Sequence, residues 1–131
     1  AAAAAVPIRH PTEEELGFLF GTIVAGPPRA AGHHSQNVCV FAEGEVDRSP
    51  TGTGVSARAA LLHARGDIKP GESFVVESIL GTSFKGRVEA TTTFGPYAAV
   101  IPEVTGSAQI IGRNELYISP DDPLRDGFLL A

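Results

Sequence analysis

The chain has 131 residues, of which 43% are hydrophobic and 19% are charged, and its formal net charge is -5. These proportions are typical of one globular domain and argue against a disordered or fibrous polymer. The negative charge and the scattered arginine and lysine residues argue against binding to nucleic acid or to an anionic membrane. No apolar run approaches the roughly 20 residues of a membrane span and no leader is recognisable, so we expect a soluble, cytoplasmic protein.

The first part of the chain predicts short elements. Residues 1–9 open on five alanines and are uninformative about the fold. Residues 10–15 predict the start of a helix, with Thr12 as its cap and acidic residues in its first turn. Residues 18–24 have the apolar character of a strand, and after a loop a second strand is predicted over residues 38–41.

A central helix is predicted over residues 53–65, because alanine and leucine dominate this segment. Apolar residues occupy most of its circumference, so we expect the helix to be buried. Short apolar runs bounded by glycine, proline or asparagine then predict strands at residues 74–79, 83–92, 97–105, 108–111 and 115–118. One helix wrapped by short strands indicates an α+β domain.

The most informative stretch links the second strand to the central helix and reads Val-Asp-Arg-Ser-Pro-Thr-Gly-Thr-Gly over residues 46–54. Its glycines let the backbone approach a ligand closely, and the first amides of a helix point out of its N-terminus with the positive end of the helix dipole. A carboxylate or a phosphate would be held there. Asp47 lies beside this site and could bind the ammonium group of an amino acid.

Two other interpretations of this turn stay open from the spacing alone. In the first, Thr51 or Thr53 caps a helix that has only a structural role. In the second, residues 52–57 form the glycine fingerprint of a dinucleotide site, with Glu77 near the position of its acidic residue. The second interpretation is the weaker one, because that fold needs repeated strand-helix-strand units and only strands are predicted after the helix.

The remaining reactive side chains indicate no further site. Cys39 is the only cysteine, which excludes an internal disulfide, and its place in an apolar strand predicts a buried, inert thiol. His33 and His34 lie in a loop without another histidine at ligand spacing. We therefore expect a solvated loop there and no metal site.

Residues 38–54 resemble the second active-site motif of the proline racemase and hydroxyproline epimerase/dehydratase family. The resemblance continues at residues 10–11, 20–23, 77–88, 102–108 and 121–128, and so covers the chain from His10 onward. In the racemases the position of Thr51 is a cysteine. A threonine at this position is the pattern of the trans-3-hydroxy-L-proline dehydratases.

The resemblance implies a diaminopimelate-epimerase-like fold, with two pseudo-symmetric lobes that each curl a mixed sheet around a central helix. Residues 10–131 would be the second lobe, and residues 116–131 would pack toward the first lobe. A Cys-Gly-His motif of that N-terminal lobe would supply the catalytic base, and nothing in this chain matches the motif. Whether the first lobe belongs to the same polypeptide, and whether the protein forms a homodimer, stays open.

The resemblance also assigns roles in binding an imino acid substrate. Asp47 would bind the ring nitrogen, Gly52 and Thr53 would donate hydrogen bonds to the carboxylate, and Phe41 would form part of the apolar wall. Thr51 would face the Cα from the side opposite the base. The resemblance implies no cofactor.

The threonine favours dehydration among the reactions of this family. Racemisation needs a proton carrier on each face of the Cα, and a threonine hydroxyl does not ionise usefully near pH 7. In trans-3-hydroxy-L-proline the hydroxyl and the Cα hydrogen share one ring face, so one base could serve both. We therefore expect dehydration to pyrroline-2-carboxylate, with a racemase or epimerase of the same family, or a non-catalytic imino-acid-binding protein, as alternatives.

Overall fold

Five strands and one α-helix make up the regular structure of residues 7–41 and 44–128, which the computed structural model describes. In chain order they are β1 (Gly21–Gly26), β2 (Ser35–Phe41), α1 (Gly52–Arg65), β3 (Ser73–Ser78), β4 (Ser83–Phe94) and β5 (Tyr97–Thr105), preceded by a 3₁₀ turn at Glu14–Leu16. Within these ranges, no helix is long and apolar enough to cross a membrane.

The strands form one mixed sheet in the order β1-β2-β3-β4-β5. Strands β2 and β3 run parallel, with Ser35 opposite Val76 and Asn37 opposite Ser78, and the other neighbouring pairs are antiparallel. A parallel pair needs a long crossover connection, which α1 provides between β2 and β3. The predicted α+β class, a mixed sheet with one helix, is confirmed.

One face of α1 packs on the sheet and forms the hydrophobic core. The core combines residues spaced three or four apart on the helix with residues of β3 and β4: Val55, Ala59, Leu62, Phe74, Val76 and Val88. The opposite face of the helix is open, and Leu61 on it is 51% exposed. The prediction of a helix buried on most sides is therefore wrong for the described residues, because strands cover only one face.

Gly66 explains why α1 ends after Arg65. Gly66 has a φ of 80°, a left-handed conformation that glycine adopts without strain. Its N–H donates to the carbonyl of His63, and the N–H of Asp67 donates to the carbonyl of Leu62. These bonds satisfy carbonyl groups of the last turn that have no partner within the helix.

The pairing of β1 with β2 shifts both strands from their predicted limits. β1 begins at Gly21 rather than at residue 18, and β2 begins at Ser35 rather than at residue 38. Gly21 pairs with Phe41 and Gly26 pairs with Gln36, so the ladder extends into residues that are not apolar. Apolar patterning does not reveal such residues, because their place in the strand comes from backbone pairing.

The two last predicted strands are wrong. Residues 108–111 and 115–118 have no regular structure, and Ile110 and Leu116 are 98% and 88% exposed. A strand needs a neighbouring strand to pair its backbone groups. No described residues pair with these two segments.

The predicted cap at Thr12 is also wrong. The structure has only a single 3₁₀ turn there, with Glu13 at its N-cap and no side-chain cap. The ring nitrogen Nδ1 of His10 accepts the backbone N–H of Glu13 at 3.0 Å. This bond holds the chain just before the turn and is not a cap of the helix.

Candidate functional site

The chain turns back on itself after β2 and brings Asp47 to the end of the sheet. The N–H of Phe41 donates to the carbonyl of Glu45 at 2.9 Å, and the N–H of Asp47 donates to the carbonyl of Cys39 at 3.0 Å. These backbone bonds hold Asp47 beside β2, four residues before the N-cap of α1.

Hydrogen bonds link Asp47, Ser49 and Thr51 in a closed ring. The Oδ1 atom of Asp47 accepts the N–H of Ser49 at 2.8 Å, and its Oδ2 atom accepts the hydroxyl of Thr51 at 3.0 Å. The N–H of Thr51 donates to the Oγ atom of Ser49, also at 3.0 Å. Aspartate and serine favour such turns because their short side chains reach backbone groups two residues on.

This ring sets the charge of the Asp47 carboxyl. Partial burial acts to raise its pKa, but hydrogen bonds from Ser49 and Thr51, together with the charge of Arg48, outweigh burial and lower the pKa below its ordinary value. Asp47 is therefore a carboxylate at neutral pH. A carboxylate that is partly buried and held in one orientation is suited to bind an ammonium group.

Thr51 occupies the N-cap position of α1 in an unusual conformation. Its φ is 67° and its ψ is 97°, and its side chain makes no capping hydrogen bond. Of the interpretations that the sequence left open, capping of the helix by the Thr51 hydroxyl does not occur, because the hydroxyl donates to Asp47 instead. A β-branched residue rarely adopts a positive φ, and strain of this kind costs about 1–3 kcal/mol.

The first amides of α1 are available for a ligand. The N–H of Val55 is the first to bond within the helix, to the carbonyl of Thr51 at 2.9 Å. The N–H groups of Gly52, Thr53 and Gly54 come before it and have no acceptor among the described residues. With the positive end of the helix dipole, they favour an anion at this position.

A cavity of about 340 Å³ lies at this helix start. Its lining includes all five residues that the sequence predicted as a site: Phe41, Asp47, Thr51, Gly52 and Thr53. The other lining residues are Phe20, Gly21, Ile23, Cys39, Gly54 and Ala57. The cavity thus joins a polar side, built from amides and a carboxylate, to an apolar side.

Sequence reasoning missed part of this lining. Phe20 lies just before β1, and its ring centre is 5.5 Å from that of Phe41 in an edge-on arrangement. No local signal marks Phe20, since only the β1–β2 pairing brings it to the cavity. Cys39 also lines the cavity, and its predicted burial is confirmed at 4% exposure. Ser49, which lies outside the lining, was also missed, although its spacing from Asp47 and Thr51 is a recognisable turn signal.

Glu77 forms hydrogen bonds with the loop between β1 and β2. The residue is 3% exposed, and its carboxylate accepts the N–H groups of Arg29 and Ala30, each at 2.8 Å. The Nδ1 atom of His33 lies 2.7 Å from the same carboxylate, so the prediction of a solvated loop is wrong at His33. Its bonds to the loop give Glu77 a structural role, and among the described elements only strands follow α1, so the repeated units of a dinucleotide fold do not occur there. In residues 7–41 and 44–128, no group of three or more potential ligand residues could hold a metal ion.

Known proteins resemble this chain over nearly its whole length. The chain is 51% identical over 130 residues to a trans-3-hydroxy-L-proline dehydratase of Burkholderia cenocepacia (strain HI2424), covering 99% of this chain and 39% of that protein. It is 49% identical over 130 residues to a 3-hydroxyproline 2-epimerase of Burkholderia multivorans (strain ATCC 17616 / 249), with the same coverage. This chain therefore spans less than half of the length of these relatives.

A solved structure shows the same fold. The crystal structure of a hydroxyproline epimerase from Agrobacterium vitis, with bound trans-4-hydroxy-L-proline, superposes with a TM-score of 0.78 and 34% sequence identity. The superposition covers 98% of this chain and 37% of that one. The family described as proline racemase matches residues 1–129. The chain belongs to the proline racemase family.

Proposed function

We propose that the complete protein dehydrates trans-3-hydroxy-L-proline to pyrroline-2-carboxylate and that this chain supplies half of the active site. The observation that carries the proposal is the hydrogen bond from the hydroxyl of Thr51 to Asp47 at 3.0 Å. A threonine engaged in this way is not a proton carrier. The site on this lobe then binds the substrate, and the chemistry takes place on one face of the Cα.

The polar side of the cavity fits the two charged groups of an imino acid. The N–H groups of Gly52 and Thr53 point out of the helix and would donate to the carboxylate. The carboxylate of Asp47 would pair with the ring ammonium through a charge-assisted hydrogen bond. Phe41, with Phe20 beside it, would cover the carbon atoms of the ring.

The reaction needs one base on the face opposite Thr51. In trans-3-hydroxy-L-proline the Cα hydrogen and the 3-hydroxyl lie on the same ring face. A base there takes the Cα proton, the electron pair forms the Cα–C3 double bond, and the C3–O bond breaks. The hydroxyl leaves with a proton as water, and the unsaturated product tautomerises afterwards. The Cys-Gly-His motif that the family carries in its first half would supply this base.

Epimerisation is the second candidate, because a 3-hydroxyproline 2-epimerase is 49% identical to this chain. An epimerase removes the proton from one face and returns one to the other, so it needs an acid or base on this lobe as well. Thr51 occupies that position, and a threonine hydroxyl does not ionise usefully near pH 7. A non-catalytic imino-acid-binding protein would share the binding groups and lack the base.

We also propose that residues 10–131 form the second lobe and that residues 116–131, of which 129–131 lie outside the described residues, pack on the first lobe. Described residues of this segment expose large apolar side chains, with Leu116 and Tyr117 88% and 84% exposed. The matched relatives are more than twice as long as this chain, which leaves room for a lobe that covers these side chains.

The test is to incubate the full-length protein with trans-3-hydroxy-L-proline in heavy water. Dehydration forms pyrroline-2-carboxylate, and the recovered substrate keeps its configuration at the Cα. An epimerase would instead form the opposite Cα epimer with deuterium at that carbon. A binding protein would bind the imino acid and form neither product.

A further inference from the structure

Among the described residues, Thr51 is the only non-glycine residue with a positive φ. Its conformation decides where the chain enters α1, and hence the direction of the N–H groups of Gly52 and Thr53. The β-branched side chain disfavours this conformation, and its hydroxyl bond to Asp47 fixes the side chain without engaging the backbone N–H. An interaction outside Thr51 must therefore hold its backbone in place.

Ser49 provides this interaction through its side chain. Its Oγ atom accepts the N–H of Thr51 at 3.0 Å, a group that precedes the helix and has no acceptor within it. Its own N–H donates to Asp47, so Ser49 is held from the other side of the turn. Between the two residues lies the buried Pro50, whose fixed φ stiffens the link.

We propose that Ser49 is a positioning residue, whose Oγ atom holds the strained backbone of Thr51 and thereby directs the first amides of α1 into the cavity. The inference rests on the proposed imino acid site and goes beyond it, because Ser49 itself is not assigned a contact with substrate. Loss of the Oγ atom would let Thr51 relax toward a negative φ. The amides would then lose their direction toward a substrate carboxylate.

A double-mutant cycle in the full-length protein tests this role, with trans-3-hydroxy-L-proline as substrate. Ser49→Ala is expected to raise KM about tenfold, with a much smaller change in kcat, because a binding interaction is lost. Ser49→Thr keeps the Oγ atom and is expected to stay within about twofold of the wild type. Glycine adopts a positive φ without strain, so in a Thr51→Gly background Ser49→Ala is expected to change KM less than about twofold.

Two results would overturn the proposal. One is an unchanged KM in Ser49→Ala, and the other is an equal rise in KM whether threonine or glycine occupies position 51. If the wild type does not turn over the substrate, the proposed function fails. The role of Ser49 is then tested by urea unfolding of the wild type, the two single variants and the double variant. Ser49→Ala should lower the unfolding midpoint more with threonine than with glycine at position 51. An equal lowering of the unfolding midpoint in the two backgrounds would contradict the proposed role of Ser49.

Discussion

At the scale of single residues, Thr51 combines two features of the candidate site. Its backbone is strained, with a φ of 67°, and its hydroxyl leaves the helix amides free by bonding to Asp47. An ordinary N-cap threonine would accept a hydrogen bond from one of these amides and so compete with a ligand. The observed arrangement orients the carboxylate and keeps the amides available.

The contribution of the Thr51 hydroxyl can be measured through Asp47. Thr51→Val keeps the shape of the side chain and removes the hydrogen bond, so it should raise the pKa of Asp47 toward its ordinary value. Because folding lowers this pKa, the stabilisation is present above the unfolded pKa of about 3.9 and is lost as pH falls through the folded pKa. Urea unfolding should therefore show a deficit of about 1 kcal/mol at pH 7 that disappears in strong acid.

Thr51→Ser is the matched control for this measurement, because it keeps the hydroxyl. NMR titration of the Asp47 carboxyl should give the same pKa in the serine variant as in the wild type. An equal deficit for the valine and serine variants at all pH values would mean that the hydroxyl does not act through the ionised carboxylate.

At the scale of elements, the β1–β2 hairpin is held at its two ends by different chemistry. At one end the loop between the strands bonds to the buried carboxylate of Glu77 on β3. At the other end, the aromatic rings of Phe20 and Phe41 meet beside the cavity. The hairpin thus connects the buried carboxylate of Glu77 to the apolar wall of the candidate functional site.

The loop should depend on the charge of Glu77. Hydrogen bonds from Arg29, Ala30 and His33 lower the pKa of Glu77 despite burial, which acts to raise it. The stabilisation is present above the unfolded pKa of about 4.3 and is lost as pH falls through the folded pKa. Glu77→Gln removes the charge and should speed hydrogen exchange of the Arg29 and Ala30 amides near neutral pH. Glu72→Gln, at an exposed glutamate of the turn before β3, is the control. Unchanged exchange would show that the loop does not need the carboxylate.

Phe20 should matter for binding although it is 67% exposed in this structure. Phe20→Ala removes one part of the apolar wall and should raise KM of the full-length protein for an imino acid about three- to tenfold. Phe94→Ala is a matched control, because Phe94 is 48% exposed and lies outside the lining of the cavity. Equal KM values for the two variants would place Phe20 outside the substrate site.

At the scale of the whole molecule, the described residues leave much apolar surface uncovered. The open face of α1 and the irregular segment after β5 expose large side chains, among them Leu61, Ile110 and Leu116. Clustered exposed apolar side chains mark surfaces that interact with another protein surface, a ligand or a membrane. This agrees with the proposal of a first lobe packed against this one.

Leu116 tests that proposal. In the full-length protein, Leu116→Ser should lower the free energy of unfolding by about 1–3 kcal/mol, because a covered apolar side chain is lost. Arg113→Ser, in the same irregular segment, should have little effect and serves as the control. A Leu116→Ser variant as stable as the wild type would show that the side chain stays exposed in the complete protein.

The sequence by itself determined the elements whose cause is local. The alanine-rich run predicted α1, the strands at residues 74–79, 83–92 and 97–105 were placed within two residues, and the Gly-rich turn indicated a helix start open to an anion. The same turn also carried the resemblance to the proline racemase family, which the comparisons confirmed. These features depend on residues close together in the chain, so they can be predicted from the sequence without knowledge of the fold.

The tertiary structure decided what depends on distant partners. Short apolar runs at residues 108–111 and 115–118 predicted strands, but a strand forms only where a neighbour completes its hydrogen bonds. Likewise, the Thr51 hydroxyl could cap the helix or bond to Asp47, and the return of the chain along β2 selected Asp47. Phe20 reached the cavity and Glu77 reached the loop through strand pairing alone. Local propensity offers such choices, and contacts between residues far apart in the sequence select among them.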